Sequence, residues 1–163
     1  MWINLTDEQK LQVLEQVENA IGLPAFVVEK DWWACVILKT VFQSKYADSI
    51  IFKGGTSLSK AYNLIDCFSE DIDLIIDRHL LGFDQLGSKS QIKKLRKASG
   101  GFIINEFREE LITQLDQLGI DRKLYEIILL KNRSPFCSHT VCSVIGTNIT
   151  ILYGTVQKKI IIF

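Results

Sequence analysis

Residues 50–77 read IIFKGGTSLSKAYNLIDCFSEDIDLIID, and this stretch limits the fold more tightly than any other. An apolar run, paired glycines, a helical segment, a loop and a second apolar run that opens on two acids predict strand, tight turn, helix and strand. The strands fall near residues 49–52 and 72–76. The helix between them starts at about Thr56, carries Leu58, Ala61, Tyr62 and Leu64, and ends before Asp66. That order implies an α/β or α+β core.

Strand side chains alternate faces, so Asp71 and Asp73 share one side while Ile72 and Leu74 take the other. Two carboxylates on one face repel, and a cation between them relieves the repulsion. The turn Gly54-Gly55-Thr56 lets bare backbone N–H groups approach a phosphate, and the following helix points its positive end there. A phosphate cradle and a metal clamp in one compact unit imply phosphoryl or nucleotidyl transfer. Mg²⁺ takes hard oxygen ligands and keeps several waters, so Asp71 and Asp73 with triphosphate oxygens suffice.

A lone DxD is a weak signal. Here it opens an apolar strand fifteen residues after the Gly-Gly-Thr turn (71 − 56 = 15), which is more specific. The bland alternative is a pair of strand-edge acids and an ordinary turn. Neither GxxxxGK[ST] nor GxGxxG occurs in this stretch, so it is not a Walker loop or a dinucleotide fingerprint. Lys53 and Lys60 flank the cradle, and Lys60 is placed either to reach the phosphates or to sit in solvent. Ser57 and Ser59 are secondary candidates, and His79 after the second strand is incidental.

With 163 residues, 47% of them hydrophobic, the chain holds one domain or one and a part, with a real core. A formal net charge of zero makes no global demand for nucleic acid or an anionic membrane. The opening residues lack the basic and apolar regions of a secretory signal, and no apolar run is long enough to span a bilayer. Cys35, Cys67, Cys137 and Cys142 form no CxxC pair, so the expectation is a cytoplasmic chain with reduced thiols. Cys35 reads as a small buried hydrophobe.

Ahead of the cradle, Thr6 and Gln9 form a capping box for a helix with Leu11, Leu14, Val17 and Ile21 on one stripe, stopped at Gly22. Pro24 introduces a second helix over about residues 25–44, with Val27, Trp32, Val36, Ile37, Val41 and Phe42 as apolar positions. Its polar segment Glu29-Lys30-Asp31 has two readings. It is a solvated turn with a local ion pair, or it brings Lys30 or Asp31 to the nucleotide cleft.

Beyond the cradle, Lys89, Lys93, Lys94, Arg96 and Lys97 form a basic run with Ile92 and Leu95 inward. It is a solvated face or a contact for an RNA or protein substrate. A separate helix from about Phe102 to Leu118, stopped by Gly119, and a strand near residues 124–130 follow. Strands at residues 141–145 and 147–153 complete the pattern, joined at Gly146. No Asp or Glu occurs after Glu126, which is also what a shifted or truncated frame leaves. The expected division is a catalytic-type domain over residues 1–130 and a divergent or truncated segment over residues 131–163.

The run Lys53-Gly54-Gly55-Thr56-Ser57-Leu58-Ser59-Lys60, followed by Phe68-Ser69-Glu70-Asp71-Ile72-Asp73-Leu74, resembles the AbiEii/AbiGii toxin family. Glu29-Lys30-Asp31-Trp32 is similar to that family's N-terminal signature. The resemblance implies an α+β, polymerase-β-like nucleotidyltransferase core, a small mixed sheet flanked by helices. It also implies Mg²⁺, a nucleoside triphosphate donor, a tRNA or protein acceptor, and a cognate antitoxin in an abortive-infection system that defends against phage. On this reading Asp71, Asp73 and Lys60 are catalytic, the two aspartates hold the metal, and Lys53, Gly54, Gly55, Thr56 and Ser57 bind the nucleotide. Cys67 departs from the arginine common in relatives, and relatives continue into a helical region with further lysine and aspartate motifs. The alternative is therefore an inactive remnant that binds nucleotide or antitoxin at most.

Overall fold

The computed structural model describes residues 2–64, 71–85, 88–129, 146–154 and 159–162. Helix α1 (Asp7–Ile21) begins at the expected capping box, in which Gln9 N–H donates to Thr6 Oγ1 and Thr6 N–H to Gln9 Oε1. It ends at Gly22, whose φ of 71° is the left-handed conformation of a helix stop. Its stripe is shallow: Leu14 and Val17 are partly buried, whereas Leu11 and Ile21 remain exposed. The reason is that α1 packs on one neighbour, α2 (Ala25–Gln43), and not into the centre.

Helix α2 is the main helical wall. Trp33, Ala34, Ile37, Thr40 and Val41 are buried along it, with Trp32 and Val36 at the margin. Two expectations fail here. Phe42 and Cys35 are both exposed. An element apolar nearly all round carries little sign of which face turns inward, so composition misassigned both positions.

Strand β1 (Ile50–Lys53) and strand β2 (Asp71–Asp77) pair antiparallel, and α3 (Gly54–Lys60) starts directly after β1. The helix thus begins two residues before the expected Thr56, with Lys53 as its N-cap residue. Along β2 the expected alternation holds, with Ile72, Leu74 and Ile76 buried and Asp73, Ile75 and Asp77 half-buried. Three further strands, β3 (Glu126–Leu129), β4 (Gly146–Gly154) and β5 (Lys159–Ile162), complete a five-stranded sheet in the order β1-β2-β4-β5-β3. Only the β3–β5 pairing is parallel, so the sheet is mixed as expected. Residues 141–145, read as a further strand, lie outside the described residues. Gly146 opens β4 itself.

Helix α4 (Lys89–Phe102) carries the basic run, with Leu95 buried and Ile92 partly so. It does not stop at Gly100-Gly101. A π-helical turn at Ile103–Phe107 carries the chain without a break into α5 (Arg108–Gln117). Burial overrides the glycine pair here. Phe102 and Phe107 both enter the core, and Phe102 meets Tyr46 edge-on with ring centroids 4.9 Å apart. The core thus lies between the sheet and the layer of α2, α4 and α5, where Ile37, Val41, Leu74, Ile76, Phe107 and Leu111 meet. This α+β arrangement leaves the opposite face of β1 and β2 outside the core, where Lys53, Asp73 and Asp77 stand beside Ile51 and Ile75.

Candidate functional site

On that outer face, strand register sets Lys53 directly opposite Asp73. Directly opposed side chains lie on one face with Cβ atoms about 5 Å apart, so the ammonium and the carboxylate belong to one patch. Both residues are half-buried. Asp71 opens β2, its backbone opposite Leu152 of β4, two positions before Asp73. Glu70 lies outside the described residues.

The chain leaves β1 through Gly54, whose φ is 83°. Only glycine adopts this conformation without cost. Space imposes the same choice. A Cβ at Gly54 would stand 2.8 Å from Asp73 Oδ2 and 3.4 Å from its Cβ. The cradle backbone and the second acid of the DxD are therefore in contact, and a side chain at position 54 would separate them. Gly55 differs, having no atom within 4 Å of a Cβ built on it and lying exposed at the first turn of α3. The first-turn N–H groups of a helix have no partners within the helix itself, so this surface offers donors beside a carboxylate.

Within α3, Thr56 and Ser57 are buried. The Ser57 hydroxyl donates to the Gly54 carbonyl at 2.8 Å, a bond that closes the turn from inside. Ser59 Oγ similarly donates to Thr56 O, at 3.4 Å. Lys60, at the end of the helix, does not extend into solvent. Its ammonium forms an ion pair with Asp31 of α2 and lies 3.7 Å from Cys35 Sγ. Of the two residues weighed in the polar segment of α2, Asp31 is joined to α3. The Lys30 ammonium lies 5.9 Å from the centre of the Phe26 ring.

The structure thus brings together Lys53, Gly54 and Asp73, and separately ties Lys60 to Asp31. The second pairing crosses 29 residues and two elements. Its trace in the sequence was a polar island in an apolar helix. Outside the patch, His79 Nδ1, in the 3₁₀ turn Arg78–Leu81, is 3.2 Å from Asp84 Oδ1, and the pair is exposed. Two cavities also lie elsewhere. One, of about 250 Å³, is lined by Trp2, Glu29, Trp32 and Trp33, and the other, of about 410 Å³, by Leu81, Gly101, Phe102 and Glu106. Neither cavity is lined by Lys53, Gly54 or Asp73. Among the described residues no three His, Cys, Asp or Glu side chains converge as a metal cage. No described helix is long and apolar enough to cross a membrane.

A family model described as "Nucleotidyl transferase AbiEii toxin, Type IV TA system" matches residues 36–135. That span includes β1, α3, β2, α4, α5 and β3. No curated protein and no solved structure matches the chain.

Proposed function

This chain belongs to the AbiEii nucleotidyl transferase toxin family of type IV toxin–antitoxin systems, and from that premise we propose that it transfers a nucleotide from a nucleoside triphosphate to an RNA, such as tRNA, or to a protein. Membership carries the nucleotidyltransferase fold and a cognate antitoxin as partner. The observation that supports the reaction is the contact between Gly54 and Asp73. It sets backbone donors for phosphate beside a carboxylate able to hold a cation.

In this reading the first-turn amides at Gly55 and Thr56 receive the triphosphate, and Lys53 and Lys60 add positive charge beside it. Asp73, with Asp71, supplies the oxygen ligands for Mg²⁺. Two carboxylates, with no third protein ligand among the described residues, fit an ion that completes its shell with water and substrate phosphate. Bound there, the metal would neutralise charge on the transferring phosphoryl and orient the leaving pyrophosphate. The protein's own contribution is placement: a rigid glycine turn, fixed by Ser57, against a strand anchored in the core. Its place of action is the cytoplasm, and its role in the cell is defence against phage.

Calorimetric titration of the four magnesium nucleoside triphosphates, each on the wild type and on Asp73→Ala, tests the site. The wild type is expected to bind at least one of them, and the substitution to weaken that binding. Equal affinity in the two proteins would contradict the placement. The competing reading, a module that binds nucleotide without turnover, gives the same titration but no labelled product.

A further inference from the structure

We infer that Asp31 is a positioning residue for the proposed nucleotide site, holding the Lys60 ammonium in place on the cradle helix for the phosphates of a nucleoside triphosphate. The inference rests on the nucleotide reading and assigns a new residue to it.

A lysine side chain is long and flexible, and a free ammonium samples many directions. Lys60 is fixed instead. Its side chain is 21% exposed, and the Asp31 carboxylate of α2 contacts it. Helical side chains lean toward the N-terminus, so Lys60 leans over the preceding turn, one turn above Thr56. An ammonium has three N–H donors. Asp31 and Cys35 engage two of them, which leaves one for an incoming oxygen. Asp31 contributes no group to the Gly54–Asp73 patch, and its side chain is 43% exposed, far more than core packing would leave it. Among the described residues, the charged contact it makes is with Lys60. The pair is a polar link between the helical wall and the cradle helix.

The test is a double-substitution cycle on the full chain, read as affinity for each of the four magnesium nucleoside triphosphates. Lys60→Ala is expected to weaken binding, and Asp31→Asn, which keeps size but removes charge, to weaken it roughly tenfold, as partners that orient a ligand do. Asp31→Glu is expected to recover most of the loss. The double variant is expected to bind no more weakly than Lys60→Ala alone, because Asp31 acts only through Lys60. Additive losses, or wild-type affinity in Asp31→Asn beside a weakened Lys60→Ala, would overturn this inference and leave the nucleotide site standing. Wild-type affinity in Lys60→Ala, or no binding by the wild type, would overturn the role of Lys60 itself, and that of Asp31 with it.

Discussion

Gly54 and Asp73 approach so closely that the smallest side chain would not fit between them: a Cβ on Gly54 would stand 2.8 Å from Asp73 Oδ2. The contact lies at the end of β1, beside the last pair of the β1–β2 register, where Asp73 also faces Lys53. Fold and proposed chemistry both depend on it.

Gly54→Ala meets two obstacles at once, the carboxylate and a φ of 83°. The expected loss of stability is about 1–3 kcal/mol, together with displacement of Asp73. Gly55→Ala meets nothing within 4 Å and is expected to fold as well as the wild type. Urea denaturation of the pair measures the difference. Equal midpoints for the two variants would show that the close approach does not constrain the turn.

The two faces of β2 should respond differently to truncation. Leu74 is fully buried in the core. Leu74→Ala is therefore expected to cost about 2–5 kcal/mol, by lost burial and the cavity left behind. Asp73→Ala, on the outer face, is expected to cost clearly less than Leu74→Ala, because its half-buried side chain leaves no core cavity behind. A large destabilisation by Asp73→Ala would make that residue structural first.

Much of this was legible in the sequence because it is local. The period of two in Asp71-Ile72-Asp73-Leu74 gave the strand and its faces, and Thr6, Gly22 and Gly119 marked helix ends where the structure has them. What was not legible depends on contacts distant in sequence. The pairing of Asp31 with Lys60 spans 29 residues and leaves no periodic trace. The path through Gly100 and Gly101 depends on the burial of Phe102 and Phe107, which outweighs the local preference of glycine. Cys35 and Phe42 lie in a helix with no clear polar face, so their exposure had no signal to carry it.

Tyr125 offers a test by pH. Its hydroxyl is buried without a partner among the described residues, and burial is the main influence that raises its pKa above the ordinary value for tyrosine. A raised folded value means the neutral phenol is favoured by folding. That contribution is complete below the unfolded pKa and is lost as pH rises through the folded one. Tyr125→Phe is therefore expected to be neutral or stabilising at pH 7 and to flatten the loss of stability above about pH 10. Denaturation midpoints from pH 7 to 11 check this, and an unchanged alkaline slope would contradict it.

At acid pH the exposed pair of Asp116 and Arg122 acts in the opposite sense. The Arg122 guanidinium reaches both carboxylate oxygens, Nε at 3.1 Å and Nη2 at 2.5 Å, and its hydrogen bonds are the main cause holding the Asp116 carboxyl below its usual range. This contribution is present above the unfolded carboxylate pKa and is lost as pH falls through the lower folded value. Arg122→Gln is expected to make acid unfolding slightly shallower, and salt to diminish the difference because the pair is exposed. Acid titrations at low and high salt measure it. Identical curves for variant and wild type would remove the pair from the balance.

Label transfer bears most directly on the proposed reaction. The chain is incubated with nucleoside triphosphates labelled at the α-phosphate, Mg²⁺ and bulk tRNA or cell protein, beside Asp73→Ala and a chelated control. The wild type is expected to label an acceptor, Asp73→Ala to fall by roughly 100-fold or more, and chelation to stop the reaction. Equal labelling by wild type and Asp73→Ala, or undiminished labelling after chelation, would contradict transfer at the Gly54–Asp73 site.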